Sequence, residues 1–150
     1  MIRSKIAKAL GVVATVFALG ALAQGPASAG TSTWTSTYPT FGNATCTDPV
    51  TVYTGVQVIG CLAYGSGKVQ GYTLGVNTSG QTNPLPGVQT GAFIFNTTAT
   101  SCVATSVPNN IMKSCNGTVY TLTPGGCYDM LGFTTFGDRT IYTPVVRVCA

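Results

Sequence analysis

The chain contains no histidine and no glutamate, and 3 aspartates are its whole supply of carboxylate side chains among 150 residues. Without histidine it lacks the side chain that most often shuttles protons near neutral pH and most often ligates transition metals. A Ser-His-Asp or Cys-His nucleophile is therefore not available. A glycosidase needs two carboxylates about 5–9.5 Å apart, and each of the three aspartates has another use. Asp48 precedes Pro49 as a turn former, Asp138 stands within Gly137-Asp138-Arg139, and Asp129 finds a cationic partner in Arg147. The expectation is a protein that is not an enzyme and carries no metal or other cofactor.

Charge is scarce as well, at 7% of residues, and it is unevenly placed. Arg3, Lys5 and Lys8 precede an apolar run from Leu10 to Ala23, and Ala27-Ser28-Ala29 follows as a small-residue cleavage site. That layout predicts a secretory signal peptide over residues 1–29. The apolar run, interrupted by Gly11 and Gly20, is shorter than the roughly 20 residues that cross a bilayer. Later apolar runs are broken by Thr, Gly or Asn, so no membrane span is expected in the mature form. Cleavage would leave 121 residues from Gly30, enough for one domain with a modest core. In that part Lys68, Lys113, Arg139 and Arg147 face Asp48, Asp129 and Asp138, a net charge of +1. So small a charge excludes nucleic acid as a partner. The expected location is secreted, extracellular.

What the chain does have is 6 cysteines, Cys46, Cys61, Cys102, Cys115, Cys127 and Cys149, all beyond the signal. An even number in an exported chain predicts three disulfides. Zinc sites need close cysteine pairs, and here at least eleven residues separate any two. From Pro49 onward, short Val/Thr/Tyr/Phe runs alternate with Gly, Pro and Asn. This pattern predicts strands at Val50–Tyr53, Val56–Tyr64, Val69–Val76, Gly91–Thr97, Cys102–Val107, Thr118–Thr123, Cys127–Phe133 and Thr140–Cys149. Pro84-Leu85-Pro86-Gly87 reads as a loop, and Asn109–Ser114 as at most one turn of helix. The expected fold is all-β, one antiparallel, disulfide-stabilised β-sandwich or small barrel spanning 44–150.

Hairpin geometry orders the cysteines. Residues directly opposed on an antiparallel pair lie close enough for a disulfide. Cys46 and Cys61 are symmetric about Tyr53 and Thr54, beside Gly55. Cys102 and Cys115 are symmetric about Pro108 and Asn109, and Cys127 and Cys149 about Asp138. Sequential pairing is therefore expected. The last hairpin supports its own register: Asp129 then opposes Arg147, Leu131 opposes Val145, and Tyr128, Met130, Val146 and Val148 share an apolar face. Gly132 and Pro144 are the residues that would disturb this register near the loop.

Two segments point to binding. The uncharged, Thr/Ser-rich lead 30–43 alternates so that Trp34 and Tyr38 share a face, with Phe41 following. It is either the first strand of the domain, with Trp34 in the core, or an aromatic arm. Val107–Ser114, tied by the expected Cys102–Cys115 bridge, would present Met112 or Lys113 on a preorganised loop. Asn43, Asn77, Asn96 and Asn116 begin N-x-Ser/Thr triplets, but the signal ending in Ala-Ser-Ala is of bacterial type, and no glycosylation is expected. The leading functional expectation is a non-enzymatic binding module or subunit of an extracellular complex. It would engage a protein partner by β-augmentation or through Trp34, Tyr38 and Phe41. The alternatives are a protease inhibitor acting through the Pro108–Ser114 loop and a carbohydrate or cell-wall binder using Tyr and Phe side chains.

Overall fold

A computed structural model describes residues 30–85, 88–90, 92–93, 100–136 and 139–150. The expected signal peptide, Asn96, Pro86-Gly87 and Gly137-Asp138 lie outside the described residues. The described chain forms fifteen strands and no helix. The first five are β1 (Gly30–Ser32), β2 (Asn43–Cys46), β3 (Val50–Tyr53), β4 (Val56–Gly65) and β5 (Lys68–Asn77). Next come β6 (Asn83–Leu85), β7 (Val88–Thr90), β8 (Ala92–Phe93), β9 (Thr100–Cys102) and β10 (Thr105–Val107). The chain closes with β11 (Ile111–Thr121), β12 (Cys127–Met130), β13 (Phe133–Phe136), β14 (Arg139–Tyr142) and β15 (Val146–Cys149).

The β4–β5 hairpin organises the rest. Its strands pair from Val56↔Asn77 to Gly65↔Lys68 without interruption. Ser66 and Gly67 form the turn with φ of 49° and 71°, the doubly positive combination that matches strand twist in a two-residue hairpin. On one side β5 pairs with β11; on the other, β4 pairs with both β2 and β3. Against this sheet pack a second sheet of order β1-β9-β7-β13-β14, a three-stranded sheet β15-β12-β8 and the ribbon β10-β6. All pairs are antiparallel except β1 with β9. The fold is therefore all-β and essentially antiparallel, as the strand pattern predicts.

Alternation along the central hairpin sends Val56, Val58 and Leu62 to the inner face, and the core forms there. One cluster gathers Trp34, Val52, Val56, Val58, Leu85, Cys102, Val107 and Cys115. A second gathers Leu62, Val69, Tyr128, Met130, Val146 and Val148. The third lies on the other face of the hairpin, around Cys61, Ala63 and Tyr72.

All three disulfides follow the sequential pairing, yet they are of two kinds. Cys46–Cys61 and Cys127–Cys149 join directly opposed residues, with Cα separations of 4.1 and 4.0 Å. Cys102–Cys115, at 5.9 Å, instead ties β9 to β11 and staples two sheets together. The expected hairpin about Pro108 and Asn109 does not form. Cys102–Val107 is two strands, β9 and β10, in different sheets, and Asn109–Ser114 contains no helical turn. A non-local partner wins: the N–H of Asn110 bonds to the carbonyl of Asn77 (2.7 Å), and β11 then zips along β5 from Ile111↔Asn77. Buried Asn77 also donates its carboxamide to the carbonyls of Val107 (2.7 Å) and Gln81 (2.8 Å).

The last hairpin keeps the expected register only at its cysteine end, where Asp129 faces Arg147 and Met130 faces Val146. Beyond that point it moves by one residue, to Phe133↔Tyr142 through Phe136↔Arg139. Leu131 therefore does not pair with Val145. The extra residue falls at Pro144-Val145, where proline has no N–H for the ladder. The slip also passes the chain from one sheet to the other.

Candidate functional site

The lead is sewn into the fold. β1 runs parallel to β9, and the chain then turns Trp34 into the core, where it is 7% exposed. Its ring needs Gly75: a Cβ there would stand 2.8 Å from Trp34 Cη2 and 2.9 Å from Leu85 Cδ1. Trp34 is thus a core side chain and not an exposed anchor. Beyond it, Thr35 and Ser114 exchange both backbone hydrogen bonds, at 2.9 and 2.7 Å. The Lys113 ammonium donates to Ser36 Oγ (2.7 Å), and Asn116 Nδ2 donates to the carbonyl of Thr37 (3.0 Å). The Tyr38 hydroxyl donates to the carbonyl of Met112 (3.1 Å). The lead therefore covers the edge of β11, which would otherwise present unpaired backbone groups.

These contacts bring the two sequence-nominated segments together. Tyr38 lies beside Met112 and Ser36 beside Lys113, whereas Phe41 lies at the far end of the sheet near Lys68; Met112 and Lys113 sit on β11 and not on a loop closed by a disulfide. Met112 and Lys113 oppose Val76 and Gly75 on β5. The preorganised-loop geometry that would place either in a protease pocket is absent from this segment.

The surface that results is the outer face of the β11-β5-β4-β2 sheet. Its rows follow from the registers: Met112, Val76 and Gln57; Ser114, Leu74 and Ile59; Asn116, Tyr72 and Cys61. Phe41 from the lead packs on the lower part, over Cys61, Ala63 and Tyr72, which are buried. Burial there raises the pKa of the Tyr72 hydroxyl and keeps it neutral. Above Phe41 the cover thins: Ser114 is buried, Ile59, Leu74 and Val76 are half-buried, and Met112 is 40% exposed. No charged side chain occurs in these rows. Lys68 stands at the rim, its ammonium 6.0 Å from the Phe41 ring centroid.

Ile59, Leu74 and Val76 were not singled out by the strand pattern, although a signal was present. Val56–Tyr64 is apolar at nearly every position, the composition of a strand covered on both faces, and only half of its outer face is covered here.

The remaining polar candidates are occupied. Both oxygens of Asp129 accept from Arg147 at 2.6 Å. The hydrogen bond and charge of Arg147 hold that carboxyl below the usual carboxylate range. Tyr142, 56% exposed, stacks at 5.9 Å with Phe133. No protein family, characterised protein or solved structure matches this chain.

Proposed function

We propose that this protein is a secreted, non-enzymatic binding module that docks an uncharged surface of another extracellular protein on the outer face of its central sheet. The observation that carries this reading is the open row Met112, Val76, Leu74 and Ile59, an uncharged apolar strip left between the lead and the top of the sheet. In sandwich proteins with a solvated outer face, polar residues occupy such positions. A contiguous apolar strip marks an interaction surface, and Met and Tyr are enriched at interface centres, where charge is depleted. The role of the lead in this reading is to frame the strip through Tyr38 and Phe41, with Trp34 fixing it from below.

The test compares the oxidised protein with Met112→Asp and Leu74→Asp as baits in culture medium of the producing cells. A species retained by the parent and lost with both variants supports the reading, provided Val103→Asp, on a different exposed surface (51%), still retains it. Equal retention by all four proteins removes the strip from the binding site.

A further inference from the structure

The sheet β1-β9-β7-β13-β14 ends on β14, and no described strand pairs with the outer side of Arg139–Tyr142. Thr143 donates its N–H to the carbonyl of Gly132 (2.8 Å), so its backbone groups point towards the β13 side. Backbone direction alternates along an antiparallel strand. Ile141 and Arg139 therefore also bond inward, and Thr140 and Tyr142 direct their N–H and C=O groups outward.

We infer that β14 pairs edge to edge with β14 of a second copy of this chain, antiparallel about a twofold axis at Ile141. This goes beyond the apolar strip and does not depend on it. The fold restricts the register, and only centring on Ile141 pairs every outward group of Arg139–Tyr142 within the strand itself. A twofold perpendicular to the sheet keeps each face on its own side, so opposed residues must share parity. The outward-pointing residues must also face each other. Centring on Ile141 meets both conditions: Thr140 of each copy exchanges both backbone hydrogen bonds with Tyr142 of the other, four bonds in all.

Side chains agree with this register. Ile141, half-buried against the core, meets its symmetry mate on the inner face. On the outer face the exposed Tyr142 ring lies over Thr140 of the other copy. Arg139 falls opposite Thr143, so no like charges are opposed. Within β14 there is no proline and no lysine, the residues that commonly block edges. The next outward position is Pro144, which has no N–H, so the ladder stops there. A net charge of +1 for residues 30–150 offers little repulsion between copies. An interface of four residues a side is far smaller than the roughly 1,200 Å² of a stable complex, so the dimer is weak and reversible.

Sedimentation velocity on the oxidised protein from about 10 µM to about 1 mM tests it against the weak, transient class of interface. The weight-average mass should rise from one chain towards two. Thr140→Pro, which removes an outward N–H and no β13 bond, should stay monomeric throughout, whereas Met112→Asp should dimerise like the parent. A second readout needs no variant: amide exchange at Thr140 and Tyr142 should slow about tenfold where nine-tenths of chains are dimeric, with Ile141 unchanged. A monomer at every concentration overturns the inference. So does dimerisation that Met112→Asp abolishes, or exchange at Thr140 and Tyr142 that ignores concentration.

Discussion

Replacing Trp34 with alanine separates a core residue from an exposed anchor. Trp34 is 7% exposed, rests on Gly75 and shares a core cluster with Leu85, so truncation empties a site that neighbouring strands cannot readily fill. Loss of a buried tryptophan costs about 3–5 kcal/mol. For a domain near 120 residues each kcal/mol moves Tm by roughly 3–6 °C, so Trp34→Ala should melt roughly 9–30 °C below the parent. An exposed anchor would change stability by less than about 0.5 kcal/mol. The assay is thermal unfolding of the oxidised protein followed by circular dichroism at the strand minimum. A partner substitution ties the loss to this contact. Gly75→Ala places a methyl against the indole and should cost about 1–3 kcal/mol by overpacking. In the Trp34→Ala background that cost should fall by more than about 0.5 kcal/mol, because the two sites share one space. A Trp34→Ala melt within about 3 °C of the parent, or costs that simply add, would refute the placement of the lead in the core.

Acidification should act through Asp129. Its carboxyl is held low by Arg147, so the stabilising contribution is present above the unfolded carboxylate pKa and disappears as pH falls through the folded value. With no histidine, stability should be nearly flat from pH 5 to 8 and decline below about pH 4; Asp129→Asn should decline less, as followed by urea midpoints across pH. Among the disulfides, Cys102–Cys115 is buried while Cys46, Cys127 and Cys149 are exposed. Graded reduction with mass-tag alkylation should therefore label Cys102 and Cys115 last. The Cys102→Ala/Cys115→Ala double variant should lose about 2–5 kcal/mol, read by denaturant unfolding.

Local patterns in the sequence carried the elements whose partners are close in the chain. The two in-register disulfides and the Asp129–Arg147 pairing follow from symmetry about a nearby turn, and the structure keeps those pairings although the register shifts between them and the turn. Cys102 and Cys115 also pair, but for a different physical reason. The chain leaves Pro108 for β5 and not for β9, because Asn77 captures the turn through its backbone carbonyl and its carboxamide. Nothing between Cys102 and Cys115 encodes that competition. The slip at Pro144-Val145 was signalled by proline and glycine, although its consequence, transfer of the hairpin between sheets, depends on strands far away in sequence. Trp34 shows the same limit. Its alternation with Tyr38 marks an extended segment, whereas the choice between core and solvent is made by a glycine on β5, opposite Lys113. The open apolar strip is of this kind too, since only the course of the lead determines which half of the face Phe41 covers.

Amide hydrogen exchange at Thr35 and Ser114, read residue by residue on the native protein, addresses directly whether the lead is an edge of the sheet. Their reciprocal backbone bonds require both amides to be protected, with similar opening free energies. A Thr35 amide that exchanges at the free-chain rate would contradict the lead as a fixed edge, and with it the strip that the lead frames.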